Sequence, residues 1–323
     1  MRLSSQLVVE TKNSIDLELV REPEPRNLQW LCVSGLCILL FFAIFAFGAV
    51  EEWSTFIFEA GAGILFLVWA AQQIFSGQLQ LARNPLYLPA ICFFALIVVQ
   101  LALGISAYRY ITKYELLLYV AYLIVLLIAT EWMQKEAARA KFGFALIAFG
   151  VAYAFYALAQ DLTSSGRFFW SYTPRFHGSI YGSYVNHDHY AGLMEMLVPF
   201  PLVIAMGRMV SGGKRVLLAF CAVLMAATIV LSGSRGGMLS FTFEAIAFVA
   251  LSLYQRRSPR IALGTFAVCV AVLGFLLFFG KGEILGRLGE LGPDMRFKIT
   301  KDCLKMFAQK PVLGWGLGTF PSI

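Results

Sequence analysis

Ser232-Gly233-Ser234-Arg235-Gly236-Gly237 lies between two apolar runs and holds the ingredients of an anion site. Glycines on both sides of Arg235 let backbone or ligand come close. The apolar run that follows reads as a helix, whose first N–H groups have no intrahelical partner and whose dipole end is positive. A guanidinium, a helix N-terminus and a Gly-rich turn together suit a phosphate or pyrophosphate. The same residues also fit an arginine that snorkels from a flexible turn to a membrane surface.

A second polar group joins Arg175-Phe176-His177-Gly178 to Asn186-His187-Asp188-His189-Tyr190 and runs on to Glu195; it contains all three histidines of the chain. Asp188 and Glu195 are seven positions apart, so on a helix they share a face, separated by roughly 10 Å. His187 and His189 with nearby carboxylates could bind zinc, but they do not make a standard ligand set. A substrate pocket lined by Asn186, His189 and Glu195 is one reading; helix capping with ordinary interfacial hydrogen bonds is the other. Glu59, Glu195 and Glu244 fall inside apolar runs, where an ionised carboxylate costs about 2.5–3.5 kcal/mol. Each must face other helices, pair with a cation or stay protonated. Glu195 and Glu244 are at a depth to pair with Arg235 or Arg175. In the tail, Arg296 stands near the start of an amphipathic segment.

These groups need elements to position them, and composition names the class. Of 323 residues, 59% are hydrophobic and 14% charged, with a mean hydropathy of +0.73. A soluble domain carries about a quarter charged residues, so a soluble enzyme, a disordered chain and a fibrous protein are excluded. Apolar runs long enough to cross a ~30 Å hydrocarbon core recur along the chain. They predict an all-α polytopic transmembrane bundle of about nine spans: 28–50, 55–75, 86–105, 116–132, 142–159, 190–206, 216–232, 238–254 and 261–279. The tail 1–27 precedes the bundle (28–280), and 281–323 follows it. With a cytoplasmic N-terminus, fourteen Lys and Arg fall in the tail and loops of that side. Five (Arg109, Lys113, Arg167, Arg175 and Arg235) fall in the loops opposite. That bias sets the orientation and explains the net charge of +7 without nucleic acid. The six cysteines form no disulfide or thiol-metal pattern. In 281–323, Pro293-Asp294 can open a helix, with Met295, Ile299, Cys303 and Met306 on one face and Lys298, Lys301 and Lys305 on another. Pro311 ends it. Such a helix lies in a membrane interface or on a solvated surface.

Taken together the motifs resemble the O-antigen ligase and O-antigen polymerase family of bacterial membrane glycosyltransferases. Phe47-Gly48-Ala49-Val50-Glu51-Glu52-Trp53 looks like its outer turn after the first span. Asn186-His187-Asp188-His189-Tyr190-Ala191-Gly192 is similar to its Asn-x-Asn-His-Phe-Ala element. Ser232 to Gly237 is similar to its Ser-Arg-Gly signature. Arg296 followed by Pro311-Val312-Leu313-Gly314-Trp315-Gly316-Leu317-Gly318 resembles the start of its large periplasmic loop.

The resemblance implies an inverting, metal-independent transfer that needs no cofactor. The donor would be a glycan on a polyprenyl diphosphate carrier, and the acceptor a lipid, glycan or protein. Arg235, Arg296 and Arg175 would hold the diphosphate. The setting would be the bilayer of the bacterial inner membrane, with the N-terminus cytoplasmic and the C-terminal end periplasmic. In the ligases the base is a histidine later in the periplasmic loop. Here that position is expected beyond Ile323, in a longer protein of which this chain is a piece, and His187 and His189 are the substitutes within the chain. A transporter or flippase for a polyprenyl-linked or anionic substrate is the rival, on the strength of the same Arg cluster and the intramembrane Glu residues; an inactive remnant is a third reading.

Overall fold

The computed structural model describes residues 26–77, 79, 81–173, 180–206, 210–254 and 293–320, with the side chains of 26–31, 206, 252–254 and 293–297 excepted. The described residues form helices and no extended strand: α1 (Arg26–Phe45), α2 (Glu52–Ser76), α3 (Tyr87–Ala102), α4 (Arg109–Trp132), α5 (Glu136–Thr163), α6 (His187–Leu197), α7 (Pro199–Met206), α8 (Gly213–Leu231), α9 (Arg235–Tyr254) and α10 (Pro293–Gln309). Four of them, α2, α4, α5 and α8, are long and apolar enough to cross a membrane, and Cys32–Phe45 and Tyr87–Ala102 are shorter apolar helices. The chain is a membrane protein. The expected span 261–279 lies outside the described residues.

Local sequence accounts for the helix ends. Asn186 caps α6 through its side chain, and α10 opens on Pro293, whose missing N–H is no loss in a first turn. The run read as a single span over 190–206 is instead two helices, α6 and α7, divided at Val198. Pro199 and Pro201 cannot donate to the helix ladder, and their rings crowd the preceding turn.

In lipid, helices associate by close packing rather than by exclusion of water. The central cluster is accordingly built on small residues: Ala154 and Ala157 of α5, Ala191 of α6, and Ala222 and Ala226 of α8 expose no surface, with Tyr153, Tyr190, Met194 and Met225 filling between them. A second cluster joins α1, α2, α4 and α5 through Cys32, Val33, Trp69, Ile128, Trp132 and Ala138. Large apolar side chains such as Phe56, Ile64 and Leu67 on α2 point outward, as lipid-facing positions do.

One face gathers the connections that matter. Ser183 Oγ donates to Ile44 O at the end of α1 (2.6 Å), and Tyr153 of α5 and Ser183 share a 2.6 Å hydrogen bond. The α8–α9 turn bonds the start of α6. The tail after α10 sits on the α3–α4 connection, so these two segments share a side. The orientation expected from the charge bias would put Lys113 on the outer side and Lys141 on the inner. Alkaline phosphatase fused after Lys113 is therefore expected to be active, and after Lys141 silent; the reverse pattern would invert the orientation.

Candidate functional site

Two helix N-termini meet at this face. In α6, Asn186 Oδ1 accepts from the Asp188 N–H (2.9 Å). In α9, Ser234 Oγ accepts from the Gly237 N–H (3.0 Å), the N-cap geometry that satisfies one of a helix's free donors. The Ser234 hydroxyl also donates to Asp188 Oδ1 at 2.6 Å, a charge-assisted bond that ties one cap to the other across 46 residues of sequence. His187 Nε2 lies 3.5 Å from the same carboxylate oxygen. Asp188 thus occupies both positive helix ends, held by the fully buried Ser234.

Arg235 is the first residue of α9 and is half-buried. Among the described residues its guanidinium has no hydrogen-bond or ion-pair partner. Pairing with Glu195, open on sequence grounds, does not form. Glu195 lies instead in the α6–α9 seam, within electrostatic reach of Ser240 and Glu244. That seam is tight. A Cβ on Gly237 would stand 2.5 Å from Ala191 Cβ and 3.1 Å from Glu195 Oε1, so only glycine lets the two helices approach this closely.

His189 flanks the site with its ring 6.2 Å from that of Tyr184. Burial pushes the Tyr184 phenol up to about 12, so it stays protonated at neutral pH. Gln160 staples the connection from α5 to α6: its Nε2 donates to Gly182 O (2.5 Å), and its Oε1 accepts from the Phe169 N–H (3.1 Å) and Tyr156 OH (2.5 Å).

The Gly-rich tail forms a third element of this side. Gln100 Nε2 donates to Leu313 O (2.5 Å), the Ala107 N–H to Trp315 O (2.8 Å), and Thr112 Oγ1 to Leu317 O (3.0 Å). Lys310 Nζ lies 4.2 Å over the Trp315 ring, a cation–π contact. Gly316 has φ 110°, and a Cβ there would stand 2.5 Å from Ser106 Oγ. Gly316→Ala is therefore expected to undock the turn and speed chymotryptic cleavage after Trp315 and Leu317 on the order of tenfold, as a more populated open state does. Unchanged cleavage would contradict the docking.

The structure brings together Asn186, His187, Asp188, Glu195 and Arg235 of the residues singled out by sequence, with His189 beside them on α6. Arg175 and His177 lie outside the described residues. Arg296 is in the first turn of α10, with its side chain outside those described. Among the described residues no three His, Cys, Asp or Glu side chains are grouped to hold a metal ion. Sequence reasoning missed two roles. Ser234 was legible only as part of a motif, and its bond to Asp188 was not. Gln160 had one signal, an amide near the end of an apolar run.

Neither a curated protein nor a solved structure matches the chain. Residues 220–323, which include Arg235, Arg296 and the Gly-rich turn, match the family model described as O-antigen ligase. That match, over less than half of the chain, supports the resemblance read from the motifs to the O-antigen ligase and polymerase family.

Proposed function

We propose that the protein is a membrane glycosyltransferase of the O-antigen ligase or polymerase type, acting at the outer face of the bacterial inner membrane. It would transfer a glycan from a polyprenyl diphosphate carrier to a lipid, glycan or protein acceptor in cell-surface polysaccharide biosynthesis. The observation that carries this reading is the half-buried Arg235, without a partner among the described residues, at the Ser234-capped start of α9, inside the stretch matched by the family model.

The chemistry follows from that placement. Transfer leaves a diphosphate whose negative charge grows as the glycosidic bond breaks. A preorganised guanidinium stabilises such charge where it develops. The fork of Arg235 can take two oxygens at once. Asp188 acts as a positioning residue: through Ser234 it holds the start of α9, and with it Arg235, against α6. Arg296 and Arg175 are proposed as further diphosphate contacts, Asn186, His189 and Glu195 as lining. The acceptor hydroxyl loses a proton to a base, for which the family resemblance implies a histidine of the periplasmic loop; His187 and His189 are the candidates within this chain.

The test is transfer in proteoliposomes carrying the full-length protein, a polyprenyl diphosphate oligosaccharide and an acceptor glycolipid. The proposal expects the oligosaccharide to move to the acceptor with release of polyprenyl diphosphate. Movement of the intact lipid-linked oligosaccharide between leaflets with no transfer would favour a flippase and overturn it.

A further inference from the structure

Among the described residues, every non-glycine residue with left-handed backbone falls in one of two turns: Phe47 and Ala49 after α1, and Ser165, Phe169 and Trp170 after α5. Bulky aromatic residues at φ 58°, 47° and 60° are genuine outliers, and strain of this kind gathers at ligand clamps and active sites. The two turns touch. The Phe47 ring lies 5.3 Å from that of Phe168 and 5.8 Å from that of Phe169.

The second turn is built to hold its shape. Phe168 and Tyr172 exchange backbone hydrogen bonds of 2.8 and 2.9 Å. Gln160 takes the Phe169 N–H, and the Trp170 indole N–H donates to Thr163 Oγ1 at 2.7 Å. Three rings nonetheless face outward, with Phe169 37%, Trp170 45% and Tyr172 52% exposed. Exposed Arg167 and Ser171 flank them in sequence.

We infer that this strained aromatic turn is a saccharide-stacking subsite, in which the rings of Phe169, Trp170 and Tyr172 take the apolar face of pyranose units. A sugar ring presents C–H groups on one face and hydroxyls around its rim. Aromatic faces carry the negative side of a quadrupole that attracts such C–H groups, and the flanking Arg167 and Ser171 can bond the hydroxyls. Phe47 and Gly48 carry the platform to Tyr184, since a Cβ on Gly48 would stand 2.8 Å from the Tyr184 ring. Tyr184 in turn borders His189. The platform therefore lies where sugars would extend from a diphosphate held at Arg235, and for that placement the inference rests on the proposed function. Aromatic residues that only anchor a protein at the membrane surface need neither strained backbone nor flanking charges.

The test uses the full-length protein in nanodiscs and, as probe, the oligosaccharide freed by mild acid from the lipid-linked glycan of the same cells. Saturation-transfer NMR is expected to show protein contact at the sugar ring protons. Affinity should fall about tenfold, as loss of two aromatic contacts gives, in the Trp170→Ala, Tyr172→Ala double variant. Trp170→Phe, which keeps a ring and reports that the turn still folds, should retain binding. Arg235→Ala should also retain it, because the probe has no diphosphate. No contact with the wild-type protein, or equal binding by the double variant, would overturn the subsite. Loss of transfer in Arg235→Ala would be unaffected by that result, so the subsite and the proposed function can fail separately.

Discussion

Arg235→Ala is expected to lower glycan transfer from a polyprenyl diphosphate donor by about 10²–10³-fold, the cost of removing one preorganised donor aimed at developing charge. The loss should appear mainly in turnover, because the guanidinium gains most as the leaving diphosphate acquires charge. Folding should survive: among the described residues the Arg235 side chain has no partner to lose, and the Ser234 cap of α9 remains. Arg235→Lys keeps the charge and loses the two-pronged geometry, so its activity should fall between the two. Retained turnover in Arg235→Ala, measured with the lipid-linked donor in proteoliposomes, would remove Arg235 from the chemistry.

Gly237→Val is expected to have the largest effect on stability. The new Cβ would stand 2.5 Å from Ala191 Cβ, and two further methyl carbons would follow it into the α6–α9 seam. Ala191 cannot give way easily, since it has no rotamer to change and its helix is packed against α8 and α5. Overpacking of this sort costs typically 1–3 kcal/mol, and here it also pushes apart the two capped helix starts that Asp188 and Ser234 join. A fall in Tm and in the monodisperse fraction after detergent extraction, together with lost transfer, is the expected result. Gly237→Ala should show the same trend at smaller size. A Gly237→Val protein as stable as the wild type would mean that the helices are farther apart than described.

The two predictions depend on features that were unequally visible in the sequence. Arg235 stood out because a charge flanked by glycines at the end of an apolar run is conspicuous, and the positive helix end beside it follows from the run itself. Asn186 as a cap and Pro293 as a helix start were legible for the same local reason. The break at Val198 was written in Pro199 and Pro201, yet the apolar composition of 190–206 masked it, since hydropathy measures only the ability to enter lipid. The Ser234–Asp188 bond was not legible, because nothing local relates residues 46 apart; it exists only once α6 and α9 pack. The Gly-Trp-Gly-Leu-Gly segment read as a tight turn, and its docking on the α3–α4 connection depends on partners some 200 residues away. Left-handed Phe169 and Trp170 are the least predictable of all, because both residue types disfavour that conformation and only the surrounding contacts impose it.

The central claim is that α9 begins with a diphosphate site, and equilibrium binding tests it most directly. Polyprenyl diphosphate without sugar would be titrated into wild-type and Arg235→Ala protein in nanodiscs, with the unphosphorylated polyprenol as control. Loss of a hydrogen-bonded charge pair predicts roughly 10–100-fold weaker binding of the diphosphate by the variant, with the polyprenol bound alike by both. Equal affinity of the two proteins for the diphosphate would contradict the account.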